Sequence, residues 1–265
     1  MPQSDVPTRL DRVVKEIPGH RSAVVKYGFV KLLPSHLSSM GDSYEVAPAS
    51  NGFSGALPVP GAGPVSLRDR SVILARSGDA PVSVSNPRSG AYTHLFTVHV
   101  VGVGVRVVRG WASVEVGVPG RAFRVVATHL GADSNATRGE QAAELVHLVA
   151  SSTRPTLVLG DVNSAASGPR DTAYLMMRQS GFGDAWRVCI HTSPATAVAD
   201  QRPPWRLARR AHREVFARGA FTATKARLAG PTSSSRTASG PWASDHAGLV
   251  ARSARPRRGP VRPLP

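Results

Sequence analysis

An α/β fold is predicted for this chain by two features: a strand–helix–strand–helix order across residues 123–181, and a run of Val-rich and alternating segments ahead of it. With 265 residues, the chain is long enough for one large α/β domain or two small ones.

The first elements are the hardest to read. Residues 1–42 form an irregular N-terminal segment, in which Phe29–Val30 and Leu32–Leu33 would begin a helix that Pro34 interrupts. Tyr44-Glu45-Val46-Ala47 reads as a strand, followed by a Gly/Pro loop to residue 66. Residues 69–76 hold a short apolar run that suits a buried strand, and Pro81–Ser89 is rich in turn residues.

Patterning then improves. Val98, Val100, Val103, Val105 and Val107 indicate one or two strands, bent at Gly102 and Gly104. Trp111–Val118 alternates as a half-buried strand does, Pro119-Gly120 is a turn, and Phe123–Leu130 is the returning strand of a hairpin. Thr137 and Glu140 have capping-box spacing. Ala142, Leu145, Val146 and Val149 then share one helical face. Thr156–Leu159 is a short buried strand. Pro169–Ser180 is a second helix, with Ala173, Met176 and Met177 inward and Gly181 as its stop.

Beyond Trp186 the periodicity fades. Residues 187–236 read as a poorly patterned insert, the domain resumes to about residue 251, and 252–265 is a disordered basic tail. The net charge of +16 is concentrated in this half, in Arg202–Arg227, where Glu214 is the one acid, and in Arg252–Arg262. Neither run has an apolar period. They read first as Arg-rich sequence outside the patterned region, and second as a footprint for a polyanion such as nucleic acid.

Several classes are excluded. Cys189 is the only cysteine, so there is neither an internal disulfide nor a thiolate metal cluster. Met1–Pro18 is polar and charged, without the apolar core of a signal peptide, and no stretch approaches a membrane span. A soluble protein, cytoplasmic by default, is expected. No His-x-x-x-His helix points to zinc, and no Gly-x-Ser-x-Gly elbow surrounds Ser164.

The chemistry-bearing residues stand where strands end. His129 closes the strand Phe123–Leu130, and Asp161 and Asn163 follow the strand Thr156–Gly160. Open α/β sheets gather their sites at such ends. Asp161 can polarise a water or contact a hard cation, Asn163 can position water or phosphate without adding charge, and His129 can donate or accept a proton. Asp245-His246 adds a carboxylate and an imidazole late in the chain. Together these suit metal-assisted hydrolysis of a phosphodiester.

Ala127-Thr-His-Leu130, Gly160-Asp-Val-Asn163 and Ser244-Asp-His246 resemble three signature stretches of the endonuclease/exonuclease/phosphatase superfamily, the DNase I-like fold. Arg70–Arg76 and Gly181–Trp186 resemble two supporting segments. The resemblance covers about 43–187 and 237–251. It implies a four-layer α/β (α+β) sandwich, two packed mixed β-sheets flanked by helices. It also implies a phosphoester hydrolase, nuclease-like, acting on a substrate such as DNA or RNA with Mg²⁺ or Mn²⁺. In that family His129 would contact the phosphate or protonate the leaving group, and Asp161 and Asn163 would orient water and phosphate. Asp245 and Asp161 would hold the metal, and His246 would act as the base.

Two family features are absent. No Gln-Glu dipeptide supplies the early metal-binding Glu, and the only Asp at 187–236 is Asp200, in a polar, Ala-rich context. Weakened metal affinity and impaired activity are expected, with a non-catalytic polyanion-binding protein of the same fold as the alternative.

Overall fold

The chain runs through α1 (Phe29–Ser39), β1 (Tyr44–Val59), β2 (Gly63–Arg76), β3 (Ser83–Ala91), β4 (Phe96–Val100), β5 (Val103–Val107), β6 (Gly110–Val118), β7 (Arg121–His129), α2 (Asn135–Ala150), β8 (Thr156–Asp161), α3 (Thr172–Gln179), β9 (Gly183–Asp184), β10 (Arg213–Arg218), β11 (Thr222–Ala229) and β12 (Gly248–Ala254). This computed structural model describes residues 28–59, 63–78, 81–100, 102–132, 134–164, 172–187, 213–219, 221–230 and 248–254.

Six strands form one mixed sheet in the order β3-β6-β7-β8-β10-β9, and β1–β2, β4–β5 and β11–β12 form separate hairpins. The β6–β7 hairpin turns at Pro119-Gly120, where Gly120 takes φ +70°. That conformation strains any residue with a Cβ. β7 and β8 are parallel, so the chain must cross over between them, and α2 is the crossover.

The main core lies between this sheet and the two helices. Val126 and Val158 are register partners, both fully buried. They join Phe216 of β10 in packing against Ala142, Leu145 and Val149 of α2 and Ala173 and Met177 of α3. Each of the Val, Leu, Met and Phe side chains contributes about 1.5–3 kcal/mol by leaving water, and the alanines less. This cluster therefore fixes the β7–β8 pair, and with it the strand ends. The β1–β2 hairpin approaches β3, β6 and β7, and carries Asp69 to His129. The expected architecture, mixed sheets packed with helices, is the one observed.

Several local expectations are corrected. Residues 48–66 are mostly not loop but the long β1–β2 hairpin. Pro48 lies at its register shift between Val46 and Ala49, and a bulge accommodates a residue without N–H. Pro81–Ser89 contains most of β3, an edge strand, with Pro87 and Asn86 (φ +47°) inside its bulge. Pro34 does not end α1. It sits inside an exposed helix with no buried residue, where Val30 O gives up its amide partner without being sealed from water.

The cap of α2 is Ser134, not Thr137. Ser134 is extended, and its Oγ accepts from Thr137 N at 3.2 Å. β6 is buried on both faces at its start, Ala112, Ser113 and Val114 alike, because neighbours cover each side. Within 187–236, read as poorly patterned, residues 213–218 are the sheet strand β10 and residues 222–229 are β11. No helix among the described residues is long and apolar enough to cross a membrane.

Candidate active site

β7 and β8 end together. His129 and Asp161 are partners in the parallel ladder, and Leu130 N donates to Asp161 O at 2.9 Å. The strands approach closely because Gly160 has no side chain. A Cβ there would stand 1.9 Å from the backbone oxygen of Thr128, and its φ is +140°. The chain then turns at Asn163 (φ +50°), a conformation Asn tolerates better than most residues. Asn163 N donates to Asp161 Oδ1 at 2.9 Å, and Asn163 Nδ2 donates to Leu130 O at 2.8 Å. His129, Asp161 and Asn163 are thus brought together, as the sequence predicts.

Two residues join them that sequence reading missed. Arg109 Nη1 donates to the Asp69 carboxylate and to His129 Nδ1, the latter at 3.1 Å. Asp69 Oδ2 lies 3.8 Å from the same ring nitrogen. The Nε of Arg109 is buried without a hydrogen-bond partner among the described residues, a cost of about 1–3 kcal/mol. Arg109 was legible in principle. A hairpin turning at Pro119-Gly120 pairs Gly110 with His129, so the residue before Gly110 falls beside the imidazole. Asp69 comes from a separate hairpin, and no local pattern marks it.

The turn after β7 is held from α2. Gln141 is fully buried; its Oε1 accepts from Gly131 N at 2.8 Å and its Nε2 donates to His94 O at 2.7 Å. Arg138 Nη1 donates to the carbonyls of Gly131 and Ala132, each at 3.0 Å. One turn on, Glu144 accepts from Thr93 N at 3.0 Å and pairs with His94 Nδ1 at 2.7 Å. That hydrogen bond raises the His94 pKa. Burial pushes Glu144 upward, but the donors from Thr93 and His94 outweigh it and leave the carboxyl below its ordinary value. Below the strand ends, Thr128 Oγ1 donates to Gly110 O and meets Tyr92 OH at 2.7 Å. Burial drives the Tyr92 pKa far up, so it stays a neutral donor.

Ser164 is structural: it is buried and accepts from Tyr174 N at 2.9 Å. Asp184, in the Gly181–Trp186 stretch, accepts from Tyr174 OH and Trp186 N. A cavity of about 90 Å³ lined by Asn86, Arg88, Glu115 and Arg124 lies along β6–β7 away from His129 and belongs to another surface.

Asp245, His246 and Asp200 lie outside the described residues. Among the described residues, no group of three or more His, Cys, Asp or Glu is arranged to hold a metal ion. Asp161 offers carboxylate oxygen, but these residues alone do not make the oxygen-rich shell of a hard cation.

The fold is shared with solved structures. An endonuclease/exonuclease/phosphatase family protein from Leptotrichia buccalis superposes with a TM-score of 0.55 at 13% identity, over 90% of this chain and 82% of that one. The endonuclease/exonuclease/phosphatase from Bacteroides vulgatus gives 0.53 at 15% identity, over 86% and 80%. At such identities the likeness is one of fold. No family model matches the sequence, and no curated protein does.

Proposed function

We propose that this chain, which has the fold of the endonuclease/exonuclease/phosphatase structures, is a phosphoester hydrolase of that type, nuclease-like and of low activity. The observation that carries the reading is the ladder pairing of His129 with Asp161, with Asn163 tied back to Leu130, at the ends of two parallel strands. Open sheets present ligands there. His129 would meet a phosphate oxygen, and Asp161 would orient the attacking water. Asn163 uses one amide hydrogen on Leu130, leaving its Oδ1 for that water and its second N–H for the phosphate. His246 is the proposed base.

The cation proposed is Mg²⁺ or Mn²⁺, weakly held by Asp161 and Asp245. When bound it would supply charge to offset that developing on the phosphate. The low activity follows from the missing early Glu.

A second reading is a polyanion-binding protein without turnover. Lys225 and Arg252 are direct cross-strand partners on the β11–β12 hairpin, both exposed, with exposed Arg227 two residues along. Like charges so opposed repel, and a polyanion would relieve them.

One assay separates the two: plasmid DNA with Mg²⁺, with and without EDTA. The hydrolase reading expects slow cleavage that EDTA stops and that Asp161→Ala lowers by roughly 100-fold or more. Salt-sensitive binding with no cleavage in Mg²⁺ or Mn²⁺ would favour the second reading.

A further inference from the structure

Towards the far end of the six-stranded sheet from His129, three arginines gather around one glutamate. Glu115 Oε1 of β6 accepts from Arg124 Nε of β7 at 3.1 Å, and Arg154 Nε stands 3.0 Å from Oε2. The carboxylate is 13% exposed and its Oε2 is sealed from water. Its charge is therefore taken up by these two guanidinium groups. Arg88 of the edge strand β3 is the third arginine. It is exposed and makes no ion pair among the described residues.

These side chains share one face of the sheet. Arg88 is the register partner of Ser113, and Arg124 that of Glu115. Residues two apart on a strand point the same way, as cross-strand partners do. β3 and β7 flank β6, so the two arginines rise about 10 Å apart across the sheet. Between them lies the cavity of about 90 Å³, lined by Asn86, Arg88, Ser113, Glu115 and Arg124. The β-bulge between Ser85 and Arg88, with Asn86 at φ +47°, bends the edge strand at this wall. Bulges re-aim side chains in this way.

The unused hydrogen-bonding groups here are mostly donors. Arg124 gives Nε to Glu115, while its two Nη nitrogens have no acceptor among the described residues and are not sealed from water. Arg88 adds a whole guanidinium, which has donors only. Three arginines against one glutamate leave two positive charges around the cavity. Water satisfies the donors but brings no charge. Guanidinium groups on two sides call for acceptor oxygens on more than one side. A phosphoryl group presents three; a carboxylate has two, in one plane.

We propose that this cavity binds a phosphoryl group, held between Arg88 and Arg124, at a site separate from the strand ends. Arg124 stands five residues before His129 on β7, about 17 Å at the rise of a strand. The bound group ties the edge strand β3 to β7 across β6. The proposal does not depend on the hydrolase reading.

The test is titration of inorganic phosphate into the full-length ¹⁵N-labelled protein at about pH 8, where phosphate is largely dianionic, at constant ionic strength. The amide signals of Arg88, Ser113, Glu115 and Arg124 are expected to shift and saturate, with a Kd of about 1 mM or tighter. Arg88→Gln changes an exposed position, so the fold is expected to survive and the binding to weaken by roughly tenfold or more. Asp161→Ala, at the strand ends, should leave these shifts in place. Acetate and sodium chloride, added separately, should give no saturating response. No saturating shift at the four residues, shifts confined to 129–131 and 161–163, or unchanged binding in Arg88→Gln overturns the proposal. So does loss of the shifts in Asp161→Ala, or a response to acetate or chloride equal to that to phosphate.

Discussion

Gly160 and Thr128 are ladder partners in the parallel β7–β8 pair, and the Thr128 carbonyl oxygen occupies the space a Cβ on Gly160 would need. The positions of His129 and Asp161, one residue further on, depend on that closeness. Gly160→Ala is expected to destabilise the protein by about 2 kcal/mol or more, by clash and by strain at positive φ. Urea unfolding measures it; an unchanged midpoint would mean that the strands part without cost.

Asn163 is expected to be sensitive to loss of its amide. In Asn163→Asp a carboxylate oxygen would face Leu130 O, where Nδ2 now donates at 2.8 Å. A lost hydrogen bond with a repulsive replacement costs about 1–3 kcal/mol. Any phosphoester turnover should fall by roughly tenfold or more. Steady-state assay beside a thermal melt checks both, and wild-type values in each would remove Asn163 from the site.

Gln141 bridges two segments through its buried amide. Gln141→Leu keeps the bulk but strands Gly131 N–H and His94 C=O, at a cost of roughly 2–4 kcal/mol for the two groups. Hydrogen exchange at Gly131 should accelerate first. Protection equal to that of the wild type would show that another group replaces the amide.

The His94–Glu144 pair makes stability depend on pH. His94 is raised above 6.5 when folded, so its contribution is complete below 6.5 and is lost as pH rises through the folded value. Glu144 is lowered below 4.5, so its contribution is complete above 4.5 and is lost as pH falls through the folded value. The pair therefore contributes fully between 4.5 and 6.5. In Glu144→Gln the His94 titration, followed by NMR, should move down towards the ordinary imidazole value. An unmoved titration would assign the shift elsewhere.

The segment β6–β7–α2–β8–α3 was legible because its signals are local: an alternating strand, a Pro-Gly turn, a 3.6-residue apolar face and a Gly stop. His129, Asp161 and Asn163 sit at the ends of those legible elements, so their convergence could be argued before any coordinates. Of β1 and β2 only the outer ends were legible, Tyr44–Ala47 and residues 69–76; the rest of the hairpin was not. Prolines that read as loop signals occupy bulge and edge positions in the hairpin, where a missing N–H is tolerated. β10 was hidden for another reason. Its partners β8 and β9 are distant in sequence, and the surrounding arginines mask the short Val215-Phe216 signal. Asp69 reaches His129 only through tertiary packing, which no residue pattern along β2 announces.

The insertion of β10 between β8 and β9 bears on how the protein is made. β9 is two residues long, and among the described residues its only sheet partner is β10. On the ribosome, β8 emerges well before residues 213–218, and until they follow it has an open edge with no neighbour on that side. The nascent chain therefore carries a half-finished sheet through the synthesis of about fifty residues, at a rate of roughly 5–20 residues per second. For several seconds the strand that bears Asp161 is the natural place for a chaperone to bind, or for another nascent chain to pair wrongly.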